Sequence, residues 1–355
     1  MIFQECSDLW SYLSNTKKTV VLYGMGNGAD KILSVCERYG IPVADFFASD
    51  GFVRGHSFHG KTVLSYSEIK EKYGKENLIA LLSFGSSLPD VLSLFDRVDG
   101  EIELYAPDVP VCGEQLFTWQ FFEQNREKIE KAETLLADEE SRRIYREILS
   151  YKLNGKIGHL RNAVSSKEEV YRHLLLADSI ERAADLGAYN GDTVRELMGY
   201  APKLSYVVAM EPDRRNFRKL SDFSETLTTP CVKAVHSAAW SKTTTLSFAD
   251  SGNRNAGAFA KGKQVEVSAR SLDSVLNGAS VDYIKYDVEG AEKEALIGSI
   301  ETIRKYRPRL LVSAYHRSED IFALPLQIHE MEPSYRFYLR RYPYVPAWDL
   351  NLICV

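Results

Sequence analysis

Hydrophobic and polar positions along this chain fall into two β/α rhythms separated by a purely helical stretch. Thr19-Val20-Val21-Leu22-Tyr23 is a short apolar run closed by Gly24, the pattern of a buried strand. Behind it, G-M-G-N-G-A-D-K-I-L passes into helical spacing, with Ile32, Leu33 and Val35 apolar. Further strands are predicted at 41–47, 78–83 and 102–105, with a helix over 65–73, and Pro107 and Pro110 close the unit. Strands alternating with helices at this spacing predict a small parallel sheet. From 115 to about 153 the period is helical, carried by Phe117, Phe121, Phe122, Ile129 and Leu135 amid many charges. Asp138 is placed to cap a second helix that ends at Asn154-Gly155, and Ser166 followed by Glu169 predicts a capping box. Beyond residue 181 the alternation returns. Strands are predicted at 183–187, 206–211, 232–237, 281–287, 309–314, 335–341 and 350–355, with helices starting near Asp192, Asp213, Ala291 and Ser318. Residues 243–248 and 264–268 alternate polar and apolar and read as a hairpin around the polar run D-S-G-N-R-N-A-G. The expectation is an α/β chain with three parts. They are a smaller Rossmann-like domain (1–110), a helical connector (111–178), and a doubly wound seven-stranded domain (179–355).

Composition narrows the class. With 355 residues, 45% hydrophobic and 26% charged, the chain suits two globular domains and a connector. No run reaches the roughly 18 apolar residues of a membrane span, and the acidic start M-I-F-Q-E-C-S-D-L-W is unlike a secretory signal. Five cysteines, scattered and never spaced C-x-x-C, point to reduced thiols in a cytoplasmic setting and away from zinc. A net charge of −5 argues against a dedicated nucleic-acid binder. The basic stretch Arg304–Arg309 is read as a solvated helix end.

The chemistry concentrates on the carboxyl ends of the later strands. Asp185-Leu186-Gly187-Ala188-Tyr189-Asn190-Gly191-Asp192 follows a strand and opens a helix. Its glycines permit a tight turn close to a ligand, and the helix start offers amides to an anion. The spacing is not the G-x-G-x-x-G of a dinucleotide fold. Glu211 ends the next strand, before Pro212, about two dozen residues beyond the glycines, where a carboxylate can accept ribose hydroxyls. In Tyr283-Ile284-Lys285-Tyr286-Asp287-Val288-Glu289-Gly290, Lys285 is unusual inside an apolar strand and must reach the mouth or pair with an acid. If this strand lies fourth, Asp287 enters the same crevice as Asp185. His316 falls just past the fifth strand on the same rim. In the first unit, Gly24, Gly26 and Ala29 satisfy G-x-G-x-x-A, with Asp45 and Asp50 as candidate ribose acids. That marks a candidate nucleotide or nucleotide-sugar site, the alternative being a degenerate domain. His56 and His59 in the following loop are read as solvated.

Together, DLGAYNGDT, EPD, the SAAWS stretch (Ser237–Ser241), SLDSV, IKYDVEGAE and the tyrosine-rich run after His329 resemble the FkbM family of S-adenosylmethionine-dependent methyltransferases over roughly residues 138–355. The resemblance implies O-methylation of a small-molecule hydroxyl, such as that of a sugar, nucleotide sugar or polyketide. It implies that Asp185, Gly187, Gly191 and Glu211 hold S-adenosylmethionine, with Ala188, Tyr189, Asn190, Asp192 and Pro212 around them. Ser237, Ala238 and Ala239 would border the adenine, and Asp287 would lie at the cofactor. Asp287 or His316 is then a candidate base and Lys285 a candidate catalytic cation; Asp287 and His316 could instead help hold a divalent metal, but the site is expected to work without one. The rival readings are a non-catalytic nucleotide-binding scaffold and an NAD-dependent oxidoreductase using Gly24–Ala29. The aromatic segment 117–122 could be a core face or a homo-oligomer interface.

Overall fold

The computed structural model describes residues 7–53, 55–250 and 263–355. The first unit is a five-stranded parallel sheet of β1 (Thr19–Tyr23), β2 (Val43–Ala48), β3 (Leu64–Ser65), β4 (Leu78–Leu82) and β5 (Glu103–Tyr105), in the order β3-β2-β1-β4-β5. Helices α1 (Asn27–Arg38), α2 (Tyr66–Tyr73) and α3 (Pro89–Glu101) make the crossovers. β1 and β4 are almost wholly buried, as expected of central parallel strands covered on both faces. The sequence pattern did not yield α3, although Pro89 stands at its first turn, where proline's missing N–H costs nothing.

Helices α4 (Trp119–Leu135) and α5 (Glu139–Asn154) form the helical stretch. The Asp138 side chain accepts from the Ser141 amide, and Gly155 ends α5 in the left-handed conformation, both as the spacing predicts. The capping box at Ser166 does not form. No side-chain cap is made there, because Glu169 turns instead to the Arg340 guanidinium at 2.9 Å. Phe117 and Phe122 lie in the core and Phe121 packs on Phe322, so the aromatic segment is a core face.

The second unit is a seven-stranded sheet. Its strands are β6 (Arg182–Leu186), β7 (Tyr206–Met210), β8 (Cys231–Val235), β11 (Tyr283–Tyr286), β12 (Arg309–Ser313), β13 (Phe337–Arg341) and β14 (Leu350–Cys354). Their order is β8-β7-β6-β11-β12-β14-β13, with β14 antiparallel to both its neighbours. β9 (Thr244–Asp250) and β10 (Lys263–Arg270) pair antiparallel as the expected hairpin, whose connecting residues 251–262 lie outside the described residues. Helices α6 (Asp192–Tyr200) and α7 (Arg214–Glu225) follow β6 and β7. The helix expected after Ala291 is two pieces, α8 (Glu292–Ile297) and α9 (Ile300–Tyr306), broken at Gly298-Ser299. There the main chain touches Trp240: a Cβ on Gly298 would stand 2.0 Å from its carbonyl oxygen. α10 (Asp320–Met331) precedes β13. The first and fourth strands of this unit, β6 and β11, are neighbours in register Asp185↔Lys285. The chain reverses its strand order there, opening a crevice at the carboxyl ends, the usual ligand position in such sheets.

Candidate active site

The crevice between β6 and β11 opens into a cleft of about 2100 Å³, lined by Gly187, Tyr189, Glu211, Ala238, Asp287 and Glu289 among others. The turn after β6 requires its glycines, but for packing within the protein. Gly187 has φ +86°, and a Cβ there would lie 1.9 Å from the Asp287 carbonyl oxygen; one on Gly191, φ +84°, would strike the Phe223 ring at 2.4 Å. These positions are therefore filled by the neighbouring strand and helix, where the sequence suggested close approach of a ligand.

Glu211 is held from both sides. Its Oε2 accepts from the Tyr189 amide and its Oε1 from the Asp213 amide, each at 2.8 Å. The β6 turn and the α7 start thus converge on one carboxylate, only 6% exposed. Burial pushes its pKa up to about 7, against the pull of these two amides.

On the facing strand, Lys285 Nζ stands 3.2 Å from Asp287 Oδ2 and 3.8 Å from Asp185 Oδ1. Burial opposes the ammonium, but the two carboxylates outweigh it and keep it charged. The anomalous lysine thus pairs with acids. Burial likewise opposes ionisation of Asp287, yet Lys285 and His316 hold it below the usual carboxylate range. His316 is wholly buried, with Nδ1 2.9 Å from Glu292 Oε1 and Nε2 at 3.5 and 3.6 Å from Asp287 Oδ1 and Glu289 Oε2. Burial works against the imidazolium, but Glu292, Asp287 and Glu289 override it and push the pKa up to about 10. These acids favour the protonated imidazole. The Glu289 side chain is 43% exposed to the cleft, and burial raises its pKa to about 7, the range suited to a general base. Its backbone φ of +53° is uncommon for a residue with a side chain. Sequence spacing alone gives Glu289 no role; its place between Asp287 and Gly290 is the signal that points to it.

The other expected residues divide by position. Tyr189, Asp192, Pro212, Ala238 and Ala239 line the cleft. Ala188 is in the core, and Ser237 is buried with its hydroxyl donating to the Ser268 carbonyl at 3.0 Å. Asn190 keeps a buried Oδ1 with no hydrogen-bond partner. Asp185 lies beneath the cleft floor, bonded to the Thr193 hydroxyl and facing Lys285. In the first unit, Phe84 Cδ1 stands 2.5 Å from where a Gly24 Cβ would be. Asp45 is engaged by Lys72 and Tyr73, Asp50 by the Ser67 amide and hydroxyl, and His59 pairs with Asp30 at 2.7 Å. Cys36, Cys112, Cys231 and Cys354 are free thiols. No helix among the described residues is long and apolar enough to cross a membrane.

The β8-β7-β6-β11-β12-β14-β13 order, with a glycine turn after β6 and an acid ending β7, is a Rossmann-like sheet of the methyltransferase form. Residues 185–345 match the Methyltransferase FkbM domain, and the chain carries a domain of the FkbM methyltransferase family. A similar solved structure is the methyltransferase FkbM from Methylobacillus flagellatus KT, with a TM-score of 0.71, 21% identity, and coverage of 95% of this chain and 90% of that one. That match extends the likeness of fold over both units and the connector. Aeropyrum pernix fibrillarin in complex with natively bound S-adenosyl-L-methionine also matches, at a TM-score of 0.31 and 12% identity, covering 49% of this chain and 66% of that one. No curated protein matches the sequence.

Proposed function

We propose that this protein transfers the methyl group of S-adenosylmethionine to a hydroxyl oxygen of a small molecule, such as a sugar, nucleotide sugar or polyketide. Glu211 carries the reading. A buried carboxylate fixed by two main-chain amides still has acceptor capacity on both oxygens, which suits the paired hydroxyls of a ribose. The adenine would then lie toward Ala238 and Ala239, and the amino acid end toward the turn at Gly187 and Tyr189. The cleft, about 2100 Å³, exceeds the roughly 300–1,000 Å³ of a single-ligand pocket, leaving room for an acceptor beside the donor.

Chemically, a lone pair of the acceptor oxygen forms the new C–O bond as the S–C bond breaks and the sulfonium becomes a neutral thioether. The hydroxyl proton passes to Glu289, while Asp287, Lys285 and His316 hold that carboxylate's surroundings fixed. Most of the acceleration comes from alignment and exclusion of water. Calorimetry with S-adenosylhomocysteine tests the reading. Binding should weaken about 10- to 100-fold in Glu211→Ala, as expected when hydrogen bonds to a charged group are lost. Equal affinity in the variant would place the nucleoside elsewhere.

A further inference from the structure

The environment of His316 is unusual in a way that methyl transfer alone does not explain. Its ring is fully buried, yet neither nitrogen makes a geometrically sound hydrogen bond, and the Oε2 of the equally buried Glu292 has no partner. Nε2 points between Asp287 Oδ1 at 3.5 Å and Glu289 Oε2 at 3.6 Å. These separations are too long for strong hydrogen bonds. Each has the length of one ligand-to-ligand edge about an ion, because ligands about 2.1 Å from one ion stand roughly 3.4 Å apart. Among the described residues, the donor atoms that all lie within 4.8 Å of one another are those of Asp287, Glu292 and His316, and Glu289 joins them through His316 Nε2. On the far side of the ring, Nδ1 faces Glu292 Oε1 at 2.9 Å, and that oxygen is itself fixed by the Val288 amide at 2.9 Å. A carboxylate behind a histidine whose other nitrogen faces the ion is the usual outer support of a metal site. The Ser313 side chain also hydrogen-bonds the Asp287 carboxylate. Lys285 takes the opposite oxygen of Asp287, and the Tyr315 hydroxyl reaches Oδ1 only at 3.4 Å.

We infer that Asp287, Glu289 and His316 form a binding site for a first-row divalent cation such as Mn²⁺ or Zn²⁺, with Glu292 orienting the imidazole. Two carboxylate oxygens and one imidazole suit such ions better than an all-oxygen site suits them. Asp287 and Glu289 face the cleft with 31% and 43% of their side chains exposed, so open coordination positions point toward it. Binding the cation displaces the His316 proton, and the ion, by lowering the pKa of an oxygen bound to it, takes over the activation that falls to Glu289 in its absence. That consequence rests on the hydroxyl-methylation reading, whereas the site itself does not.

The test is calorimetry and electron paramagnetic resonance of the chelator-treated full chain titrated with Mn²⁺, and calorimetry with Zn²⁺. One cation should bind per chain, weakening at least about tenfold in Glu289→Gln and in His316→Gln, and about 10- to 100-fold in Glu292→Gln. Circular dichroism and S-adenosylhomocysteine binding identify variants that fail to fold, and Glu289→Gln, on the cleft surface, is the decisive one. Glu211→Ala should keep the cation while losing the nucleoside, which separates the two proposals. Absence of stoichiometric binding up to millimolar Mn²⁺ and Zn²⁺, or binding untouched by Glu289→Gln, overturns the inference.

Discussion

At the scale of single residues, the controlling quantity in the cleft is how burial and neighbouring charge set each acid. Burial pushes Glu211 up to about 7, well above an ordinary glutamate. Only its ionised form accepts two donated hydrogen bonds on separate oxygens, so nucleoside binding must remove a proton whenever the pH lies below 7. Affinity for S-adenosylhomocysteine should therefore be level above pH 7 and fall by up to about tenfold per pH unit below it. Glu211→Gln, which carries no titrating charge, should bind weakly with that slope absent. Calorimetry at pH 6 and pH 8 on both proteins decides the matter: parallel pH profiles would detach Glu211 from the ligand. Sequence spacing located Glu211, Asp287 and His316 because each ends a strand and strand ends are legible from apolar runs. What it left out was charge state. The protonation of His316 depends on Glu292 and Glu289, which the turn at Gly290 brings back onto the ring, and no linear pattern reports such a fold-back.

At the scale of elements, the strand predictions survived almost intact while the helical details moved, for a common reason. Apolar runs such as Val207-Val208-Ala209-Met210 are buried on both sides wherever they sit in the sheet, so local pattern and tertiary packing agree. Ends and breaks of helices answer to partners far along the chain. The break between α8 and α9 answers to Trp240, and the missing cap at Ser166 answers to Arg340. That arginine joins three segments: its guanidinium reaches Asp138 at 2.7 Å, Glu169 at 2.9 Å and the Ser141 hydroxyl at 2.8 Å, with only 3% of its side chain exposed. Arg340→Ala should lower stability by roughly 2 kcal/mol, between the ~0–1 kcal/mol of an exposed pair and the ~3–5 kcal/mol of breaking a buried one, since both acids retain contact with water. Arg340→Lys should recover only part of the loss, because an ammonium cannot reproduce the planar fork. Thermal denaturation monitored by circular dichroism measures both. A wild-type melting temperature in Arg340→Ala would show the junction to be ornamental.

At the scale of the whole molecule, each sheet keeps an apolar cluster of its own on one face and shares another with its neighbour on the other. One apolar cluster runs from Val21, Phe47 and Leu78 of the first sheet through Ile144 and Ile148 of α5 to Ile284, Leu310 and Leu352 of the second. The loops at the carboxyl ends interlock as well. Gly85 lies under Tyr344, Pro346 and Trp348, and Ser86 and Val345 exchange main-chain hydrogen bonds at 2.9 and 3.0 Å. A core shared in this way predicts a single cooperative unfolding transition in scanning calorimetry, where independent domains would show two. The same arrangement governs the rim of the larger sheet. Along β13 the main chain of Phe337 bonds to Ala137, that of Leu339 to Ser141, and that of Arg341 to Ser165. An excised half beginning near residue 179 would keep most of the cleft but lose Cys112, Lys128 and Lys131 from its wall, and with them this covering. It would present a raw strand border to its own copies, the ordinary route to clumping. The boundary that chemistry draws through this protein is thus not a place where it can be cut.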